Sequence, residues 1–412
     1  MNNNGYLEQS IARNGIRYFV DENHAFPVVS LGVFVRSGSR YENETNFGIA
    51  HFVEHLMFGG TRKRAAFDIS HEIEQVGGEI NGYTSIEYSY FYVKLLPRDI
   101  EIGFDILSDM FINSIFKQDL LEKERQVIIE EMQEDYDRPQ DVCEFEIPRS
   151  IWGKDAIANN VLGVEETVRS IKQNDLLAFF TKFFNKDNIF ISISGDIDTL
   201  KAERLVEHYF EAFNANSFVP LVSTPEYDFQ ERHIQEDKEN AQVSFALTFK
   251  GSKLFGKDDI MNSICATILG GNHSSRLYQK VREENGLAYD INAYPLQMID
   301  TGATVISTSI TPKNLGKVEA LIRKELEAVR KKGFTQSEFT DAKNYMTGEL
   351  ILELESSLTR MEKNGQQGLF LGKIQTIDNF MQELNAINFD EFSDYTRNIF
   401  DSDVGKVLVG KV

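Results

Sequence analysis

The stretch His51-Phe52-Val53-Glu54-His55 does most to determine what this sequence can fold into and bind. On an α-helix, side chains four positions apart leave the same face, so both imidazoles project together and Glu54 lies on the same arc. Two neutral imidazole nitrogens bind Zn²⁺ well, and a carboxylate beside the ion can act as a base. Such a zinc site makes hydroxide available at neutral pH, which amide hydrolysis in water requires. The stretch therefore predicts a metal-binding helix.

The flanking residues predict that this helix is buried and short. Phe47-Gly48-Ile49-Ala50 precedes the stretch, and Leu56-Met57-Phe58 follows it with further apolar side chains. Gly59-Gly60 comes next and is a typical end for a helix. A buried helix that carries two histidines and a glutamate must satisfy their polar atoms, and a metal ion would do so.

A third ligand is expected because a catalytic zinc usually has three protein ligands and one open position. The acid-rich segment 121–134 is helical by composition, and within it Glu124 and Glu131 lie two turns apart on one face. Acid-rich helices often present only a solvated face, as we expect for Glu122, Glu130 and Glu134. The residues alone leave both interpretations of Glu124 and Glu131 open.

Four blocks of the sequence resemble one peptidase family. They are residues 36–42 (RSGSRYE), 48–61 (GIAHFVEHLMFGGT), 77–85 (GGEINGYTS) and 274–289 (SSRLYQKVREENGLAY). H-x-x-E-H is the metal-binding signature of the inverzincin peptidases. The chain resembles the pitrilysin and insulin-degrading-enzyme family, and within it the short branch that includes mitochondrial processing peptidases and their bacterial relatives. One small departure is Gly82, where the family usually has alanine.

The resemblance implies a role for particular residues. The family places its third zinc ligand 76 residues after the second histidine, which here is Glu131, and a supporting glutamate seven residues earlier, which is Glu124. Glu54 would be the general base. Block 77–85 would run beside bound peptide, and the second-half block would contact substrate from the other domain. The resemblance thus assigns zinc to His51, His55 and Glu131, catalysis to Glu54, support to Glu124, and substrate binding to Asn81, Arg282 and Tyr289.

Four pairs of landmarks recur at nearly one offset and predict a duplicated domain. The pairs and their separations are Val29 and Val243 (214), Gly59 and Gly270 (211), Gly78 and Gly286 (208), and Pro97 and Pro312 (215). The 412 residues are enough for two cores of about 200 residues each. We expect an α+β fold of two homologous domains, each a mainly antiparallel sheet packed with helices. The expected boundaries are 1–213 for the zinc-binding domain, 214–230 for a linker and 231–412 for a substrate-binding domain without metal.

Composition excludes several classes of protein. The net charge of −21 argues against nucleic-acid binding. It reflects either solubility or an acidic substrate chamber, and the sequence leaves both open. No apolar run is long enough to span a membrane, and the N-terminus resembles no targeting signal. The two cysteines, Cys143 and Cys265, are expected to be reduced, so the cytoplasm fits best.

These observations together predict a zinc-dependent endopeptidase with one Zn²⁺ per subunit. From the resemblance we expect a homodimer that hydrolyses unstructured or presequence-like peptides inside a closed chamber, with no nucleic-acid or membrane partner. Two alternatives are a non-catalytic subunit of an assembly and a zinc hydrolase acting on a non-peptide amide. The intact ligand set and Glu54 disfavour the first alternative, and the peptide-binding block disfavours the second.

Overall fold

The structure is a computed structural model that describes residues 5–213, 219–220, 222–224, 233–236, 242–400 and 405–411. Most of the predicted linker, namely 214–218, 221 and 225–230, lies outside the described residues. The fold is α+β, as predicted, with a six-stranded sheet in the first half and a five-stranded sheet in the second.

The strands are short, and most of them belong to these two sheets. Their bounds are β1 Tyr6–Glu8, β2 Ser10–Ile11, β3 Arg17–Glu22, β4 Val29–Val35, β5 Glu79–Thr84, β6 Ser89–Leu95, β7 Ile189–Gly195, β8 His233–Glu236, β9 Val243–Lys250, β10 Ala288–Gln297, β11 Gly302–Ile310, β12 Lys373–Gln375 and β13 Gly405–Val409.

The described α-helices connect many of the strands, and several of them pack on the sheets. Their bounds are α1 Ile49–Met57, α2 Ala66–Glu74, α3 Ile100–Asn113, α4 Gln118–Asp137, α5 Pro139–Trp152, α6 Glu165–Ser170, α7 Gln173–Phe183, α8 Thr199–Tyr209, α9 Lys257–Gly270, α10 Leu315–Lys332, α11 Gln336–Glu353, α12 Ser357–Leu371, α13 Ile377–Ala386 and α14 Phe389–Ile399. A π-helical turn, Tyr278–Glu283, follows α9.

The first sheet has the strand order β2-β3-β7-β4-β6-β5, so β5 is an edge strand. Only β3 and β7 pair in parallel; the other pairs are antiparallel. Every residue of β4 is buried, because α12 packs on one face of the sheet and α3 contacts β4 and β6. A strand buried on both faces has a nearly continuous apolar sequence, and Ser30 is the one polar residue in the run 28–35.

The second sheet repeats this topology and confirms the predicted duplication. Its order is β10-β11-β9-β13-β8, which matches β5-β6-β4-β7-β3 strand for strand. The parallel pair recurs as β8 with β13. The offsets agree as well, since β4 begins at Val29 and β9 begins at Val243.

The chain forms two compact units that each take one helix from the other half of the sequence. The first unit contains residues 1–132, 159–222 and 351–379; the second contains 133–158, 223–350 and 380–412. Helix α12 therefore packs on β7 and β4 of the first sheet, while α5 packs on β13 and β9 of the second. The units thus differ from the continuous segments 1–213 and 231–412, whose standing as separate domains stays a prediction.

Glycines explain how α12 reaches its sheet so closely. An added Cβ at Gly365 would lie 2.1 Å from Phe34 Cε2, and one at Gly368 would lie 2.0 Å from Phe190 Cζ. Both phenylalanines are fully buried on the sheet. Because the helix has no side chain at these two positions, the aromatic rings fill the space that a methyl group would occupy.

Two further features of the structure concern the cysteines and the possibility of a membrane-spanning helix. Cys143 and Cys265 are free and buried, and burial raises the pKa of both thiols. None of the described helices combines the length and apolar composition needed to cross a membrane.

Candidate metal centre

Helix α1 places the H-x-x-E-H residues at the edge of a packed core. Phe52, Val53, Leu56 and Met57 are fully buried, while the polar trio lies on the opposite arc of the helix. The helix begins after Gly48, whose φ of 90° lies in the left-handed region that favours glycine. The polar arc is thus fixed by the burial of the apolar one.

A buried carboxylate caps this helix. Glu42 accepts hydrogen bonds from the backbone N–H groups of Gly48 at 2.8 Å and Ala50 at 2.9 Å. Burial raises the pKa of Glu42 to about 8, although the two N–H donors oppose the rise. These contacts satisfy two N–H groups at the start of the helix, which otherwise lack partners.

Helix α4 is held beside α1 by its own apolar side. Leu121, Ile128 and Met132 are buried, and the buried Arg125 lies over the Phe52 ring at 5.4 Å. Arg125 also donates a hydrogen bond of 2.8 Å to the carbonyl of Ile171. The face that carries Glu124 and Glu131 is thereby turned toward the histidines.

The structure brings His51, His55 and Glu131 together. Glu131 Oε2 lies 3.5 Å from His55 Nε2 and 3.8 Å from His51 Nε2. The two imidazole centroids are 4.6 Å apart and their planes meet at 77°. One ligand atom from each residue falls within 4.8 Å of the other two. Whether the group binds a metal stays a prediction.

The second nitrogen of each histidine has a different environment. His55 Nδ1 lies 3.3 Å from Glu124 Oε2, so this carboxylate can fix the ring and leave Nε2 facing Glu131. A carboxylate behind a histidine ligand is a recurrent arrangement in metal sites. His51 Nδ1 is buried and has no hydrogen-bond partner among the described residues.

The electrostatics favour the protonation state that a metal requires at two of the three residues, His51 and Glu131. Burial lowers the pKa of His51 to about 4, and His55 contributes to the decrease. The hydrogen bond with His55 lowers the pKa of Glu131. For His55 itself, burial lowers the pKa, but hydrogen bonds to Glu131 and Glu124 outweigh it and the net shift is upward. His51 is thus neutral and Glu131 anionic at neutral pH, and His55 would release its proton to a metal.

The donor set fits zinc. Donors about 2.0–2.2 Å from a tetrahedral zinc lie roughly 3.3 Å from each other, close to the 3.5 and 3.8 Å seen here. Two imidazole nitrogens and one carboxylate are also a common catalytic zinc set. His51 Nδ1 has no hydrogen-bond partner in the described part of the chain, and an ion at Nε2 would give this buried side chain a partner.

A second group of possible ligands among the described residues is less suited to a metal. Glu22, His24 and Asp198 also come within 4.8 Å of one another, but all three are exposed. Both nitrogens of His24 already contact carboxylates, Asp196 at 2.6 Å and Glu22 at 2.9 Å. These contacts raise the pKa of His24 and suit a protonated imidazole, so we assign no metal there.

Glu54 lies against strand β5. An added Cβ at Gly82 would be 3.1 Å from Glu54 Cγ and 3.3 Å from Glu54 Oε1. The Thr84 side chain lies near this carboxyl group. Burial raises the pKa of the Glu54 carboxyl, while the Thr84 side chain opposes this rise. A half-buried carboxyl with a raised pKa is suited to exchanging protons near neutral pH.

The three predicted substrate residues are on other elements than α1 and α4. Asn81 is exposed and occupies the face of β5 opposite to Gly82 and Thr84, so its side chain does not point toward Glu54. Its Oδ1 accepts a 2.8 Å hydrogen bond from the Gly82 N–H. Arg282 and Tyr289 belong to the second unit, where the guanidinium lies 5.2 Å from the Tyr289 ring centroid. Tyr289 is 80% exposed. Their roles toward a peptide stay predictions.

Sequence reasoning missed two residues that contact the site. Glu42 caps α1 from six positions before Gly48, outside the spacing at which capping acids are usually sought. Thr84 reaches Glu54 only because β5 folds back beside α1. No local sequence pattern indicates either contact, although both residues fall inside the blocks that resemble the family.

The counterpart helix in the second half lacks ligands. Counting 211 residues from His51, Glu54 and His55 gives Asn262, Cys265 and Ala266. Asn262 is fully buried and accepts a 2.6 Å hydrogen bond from Thr304. The duplicated helix therefore keeps its place in the fold without the residues that would bind zinc.

Comparison with known proteins identifies the family. A model described as insulinase, peptidase family M16, matches residues 18–165, and one described as the peptidase M16 inactive domain matches residues 170–346. A Bacillus subtilis protein named uncharacterized zinc protease YmxG is 32% identical over 404 residues, which cover 98% of each chain. This chain belongs to the M16 family of zinc metallopeptidases.

Two solved structures share the M16 fold along nearly the whole chain. A Pseudomonas fluorescens protein, described as a peptidase M16 inactive domain, superposes with a TM-score of 0.91 at 18% identity and covers 98% of both chains. A Helicobacter pylori protease gives a TM-score of 0.88 at 20% identity, covering 98% of this chain and 99% of that one. At sequence identities this low, the two superpositions show similarity of fold only.

Proposed function

We propose that this protein is a zinc-dependent endopeptidase in which His51, His55 and Glu131 hold the metal and Glu54 is the general base. The observation that carries the proposal is the convergence of these groups. Three donors lie within 4.8 Å of each other, and the base is on the helix that carries both histidines. Relatives along the whole chain are named zinc proteases, which favours the same chemistry here.

Each residue around the metal would have its own role in hydrolysis. Bound zinc supplies a Lewis acid that activates water and polarises the scissile carbonyl. Glu54 takes the proton from the attacking water and then passes it to the leaving amine. Its raised pKa suits both transfers, because the group must gain and lose a proton at similar pH. Glu124 holds the His55 ring so that Nε2 faces the metal.

The substrate we propose is an unstructured or presequence-like peptide. Strand β5 is the edge of its sheet, and an extended peptide can add to such an edge by backbone hydrogen bonds. Binding through backbone hydrogen bonds depends little on the sequence of the peptide. Asn81 would hold the peptide backbone along β5, and Arg282 with the exposed Tyr289 would contact the substrate from the second unit.

Several finer expectations belong to the same proposal. They are one zinc per subunit, a homodimer, a closed chamber and a cytoplasmic location. Each follows from the resemblance or from composition, and the geometry of the metal centre does not depend on any of them.

The test is cleavage of a fluorogenic unstructured peptide by the purified protein before and after chelation. We expect a zinc chelator to abolish cleavage and stoichiometric Zn²⁺ to restore it, whereas Mg²⁺ should not, because it prefers oxygen ligands. Cleavage that persists after metal analysis shows no zinc would contradict the proposal.

The same assay separates the two alternatives. Zinc bound without cleavage of any peptide in a diverse mixture would favour a non-catalytic subunit. Zinc-dependent hydrolysis of small amides but not of peptides would favour the second alternative.

A further inference from the structure

We propose that the segment 162–171, which contains α6, fixes the position of α4 relative to α1, with Arg125 and Thr167 as its positioning residues. This segment, the brace, contacts the start of α1 at one end and the buried side of α4 at the other. The inference rests on the proposed function in one respect, since the metal would need Glu131 on α4 as well as the two histidines on α1. It assigns a part in metal binding to residues that do not touch the metal.

The brace meets the start of α1 through its backbone. Gly163 has a φ of 76°, and an added Cβ there would lie 2.4 Å from the Phe47 carbonyl oxygen. An added Cβ at Gly48 would in turn lie 2.6 Å from a carbonyl oxygen of the brace. The Thr167 hydroxyl donates to the Phe47 carbonyl at 2.6 Å and shares this hydrogen with the Val164 carbonyl at 2.9 Å. Helix α7, which begins two residues after the brace, also packs on α1.

Arg125 joins the other end of the brace to α4. Its guanidinium donates to the carbonyl of Val168 and, at 2.8 Å, to the carbonyl of Ile171. Both carbonyls lie at the C-terminal end of α6, where they lack partners within the helix and where a cation is favoured. A forked guanidinium can reach two such acceptors at once. Arg125 is only 6% exposed, so these hydrogen bonds are shielded from water and their loss would leave a buried charge without partners.

The position of Glu131 depends on this attachment. Glu131 is six residues after Arg125 on α4, which is about 9 Å along the helix axis. A tilt of α4 by about 5° around Arg125 would therefore move Glu131 by about 0.8 Å. Metal–ligand distances are kept within about 0.2 Å, so the carboxylate would have to adjust at a cost in binding free energy. Loss of the brace contacts should weaken zinc binding and leave the histidine pair on α1 intact.

The first test replaces Arg125 and measures the zinc affinity of the folded protein by competition with a chromogenic chelator. Arg125→Met keeps the length of the side chain without its donors, and Arg125→Lys keeps the charge and part of the hydrogen bonding. We expect the affinity to be about tenfold lower in Arg125→Met and intermediate in Arg125→Lys. The matched control is Arg169→Met, since Arg169 is also on α6 but pairs with Glu165 of the same helix. Wild-type affinity in Arg125→Met, or an equal loss in the control, would overturn the inference.

A second readout separates positioning from stability. Co²⁺ bound in place of zinc absorbs visible light with a wavelength and intensity that depend on the number and geometry of its ligands. We expect Arg125→Met to change this spectrum and Arg169→Met to reproduce the spectrum of the wild type. If Arg125→Met unfolds at a lower urea concentration but keeps the wild-type spectrum and zinc affinity, Arg125 only stabilises the fold and the inference is wrong.

The end of the brace at α1 provides a test that does not depend on the folding of Arg125→Met. Thr167→Val keeps the shape of the side chain without the hydroxyl, and Thr167→Ser keeps the hydroxyl. We expect zinc affinity to be several-fold lower in Thr167→Val and close to wild type in Thr167→Ser. Wild-type affinity in Thr167→Val, or an equal loss in both variants, would contradict the role of this attachment.

Failure of this inference is distinguishable from failure of the proposed function, because zinc affinity is measured without cleavage. If the wild type binds zinc and cleaves peptides, and Arg125→Met and Thr167→Val bind zinc equally well, only the role of the brace is wrong. If the wild type binds zinc but cleaves no peptide, the proposed endopeptidase function fails and the zinc affinities still decide the role of the brace. A wild-type protein that binds no zinc would contradict both.

Discussion

The imidazole of His55 has two acidic neighbours with different positions relative to the ring. Glu131 faces Nε2 at 3.5 Å, on the side shared with His51, and Glu124 faces Nδ1 at 3.3 Å on the other side. Because only one nitrogen of a ring can bind the metal, the geometry separates a ligand from a supporting group. We therefore infer that Glu131 binds zinc and Glu124 orients His55.

Replacing the supporting carboxylate should weaken zinc binding without abolishing it. Glu124→Gln removes the charge that fixes the His55 tautomer, and losses of such partners typically cost roughly 10- to 100-fold in metal affinity. Competition with a chromogenic chelator measures this affinity. The matched control is Glu130→Gln, an exposed glutamate on the same helix. Equal zinc affinity in Glu124→Gln and wild type would show that Glu124 has no supporting role.

At the scale of residues, the sequence predicted the histidine pair well and the acids only in part. Two histidines four apart on a helix must share a face, so their convergence follows from helix geometry alone. Glu124 and Glu131 share a face as well, and spacing cannot say which nitrogen each will meet. The nitrogen that each glutamate meets depends on the position of α4 along α1. The contact of the buried Arg125 with Phe52 helps to fix this position.

At the scale of elements, helix α12 shows how packing can override sequence order. Residues 357–371 belong to the second half of the chain, yet the helix covers the first sheet because Gly365 and Gly368 leave room for Phe34 and Phe190. The pattern of α12 predicts a helix with one buried face. It does not say which sheet that face will cover, since both sheets offer similar apolar surfaces.

Filling this contact should destabilise the protein. In Gly368→Ala the new methyl would lie 2.0 Å from Phe190, and overpacking a core of this kind costs about 1–3 kcal/mol. Gly348→Ala is the matched control, since a methyl on α11 meets nothing within 4 Å and alanine favours helix. Urea unfolding followed by circular dichroism measures both free energies of unfolding. Equal stability of the two variants would argue against glycine-dependent packing of α12.

At the scale of the whole molecule, duplication of one domain accounts for the fold. The proposed metal site lies in the first copy because the two copies differ in sequence at the equivalent helix. Both sheets have the same strand order and one parallel pair in the same place. The offsets in the sequence predicted this repeat because turn glycines and prolines mark equivalent element boundaries. Only the first copy has the histidines, and its counterpart helix has Asn262 and Cys265 instead. The sequence could not reveal the exchange of α5 and α12, which depends on long-range contacts.

The central claim is that Glu54 acts as a base beside a zinc held by His51, His55 and Glu131. The most direct measurement is the peptide-cleavage rate and zinc content of Glu54→Gln, compared with Glu130→Gln and wild type. We predict full zinc content in all three proteins and a loss of at least about a hundredfold in kcat for Glu54→Gln alone. Cleavage by zinc-loaded Glu54→Gln at the wild-type rate would contradict the account.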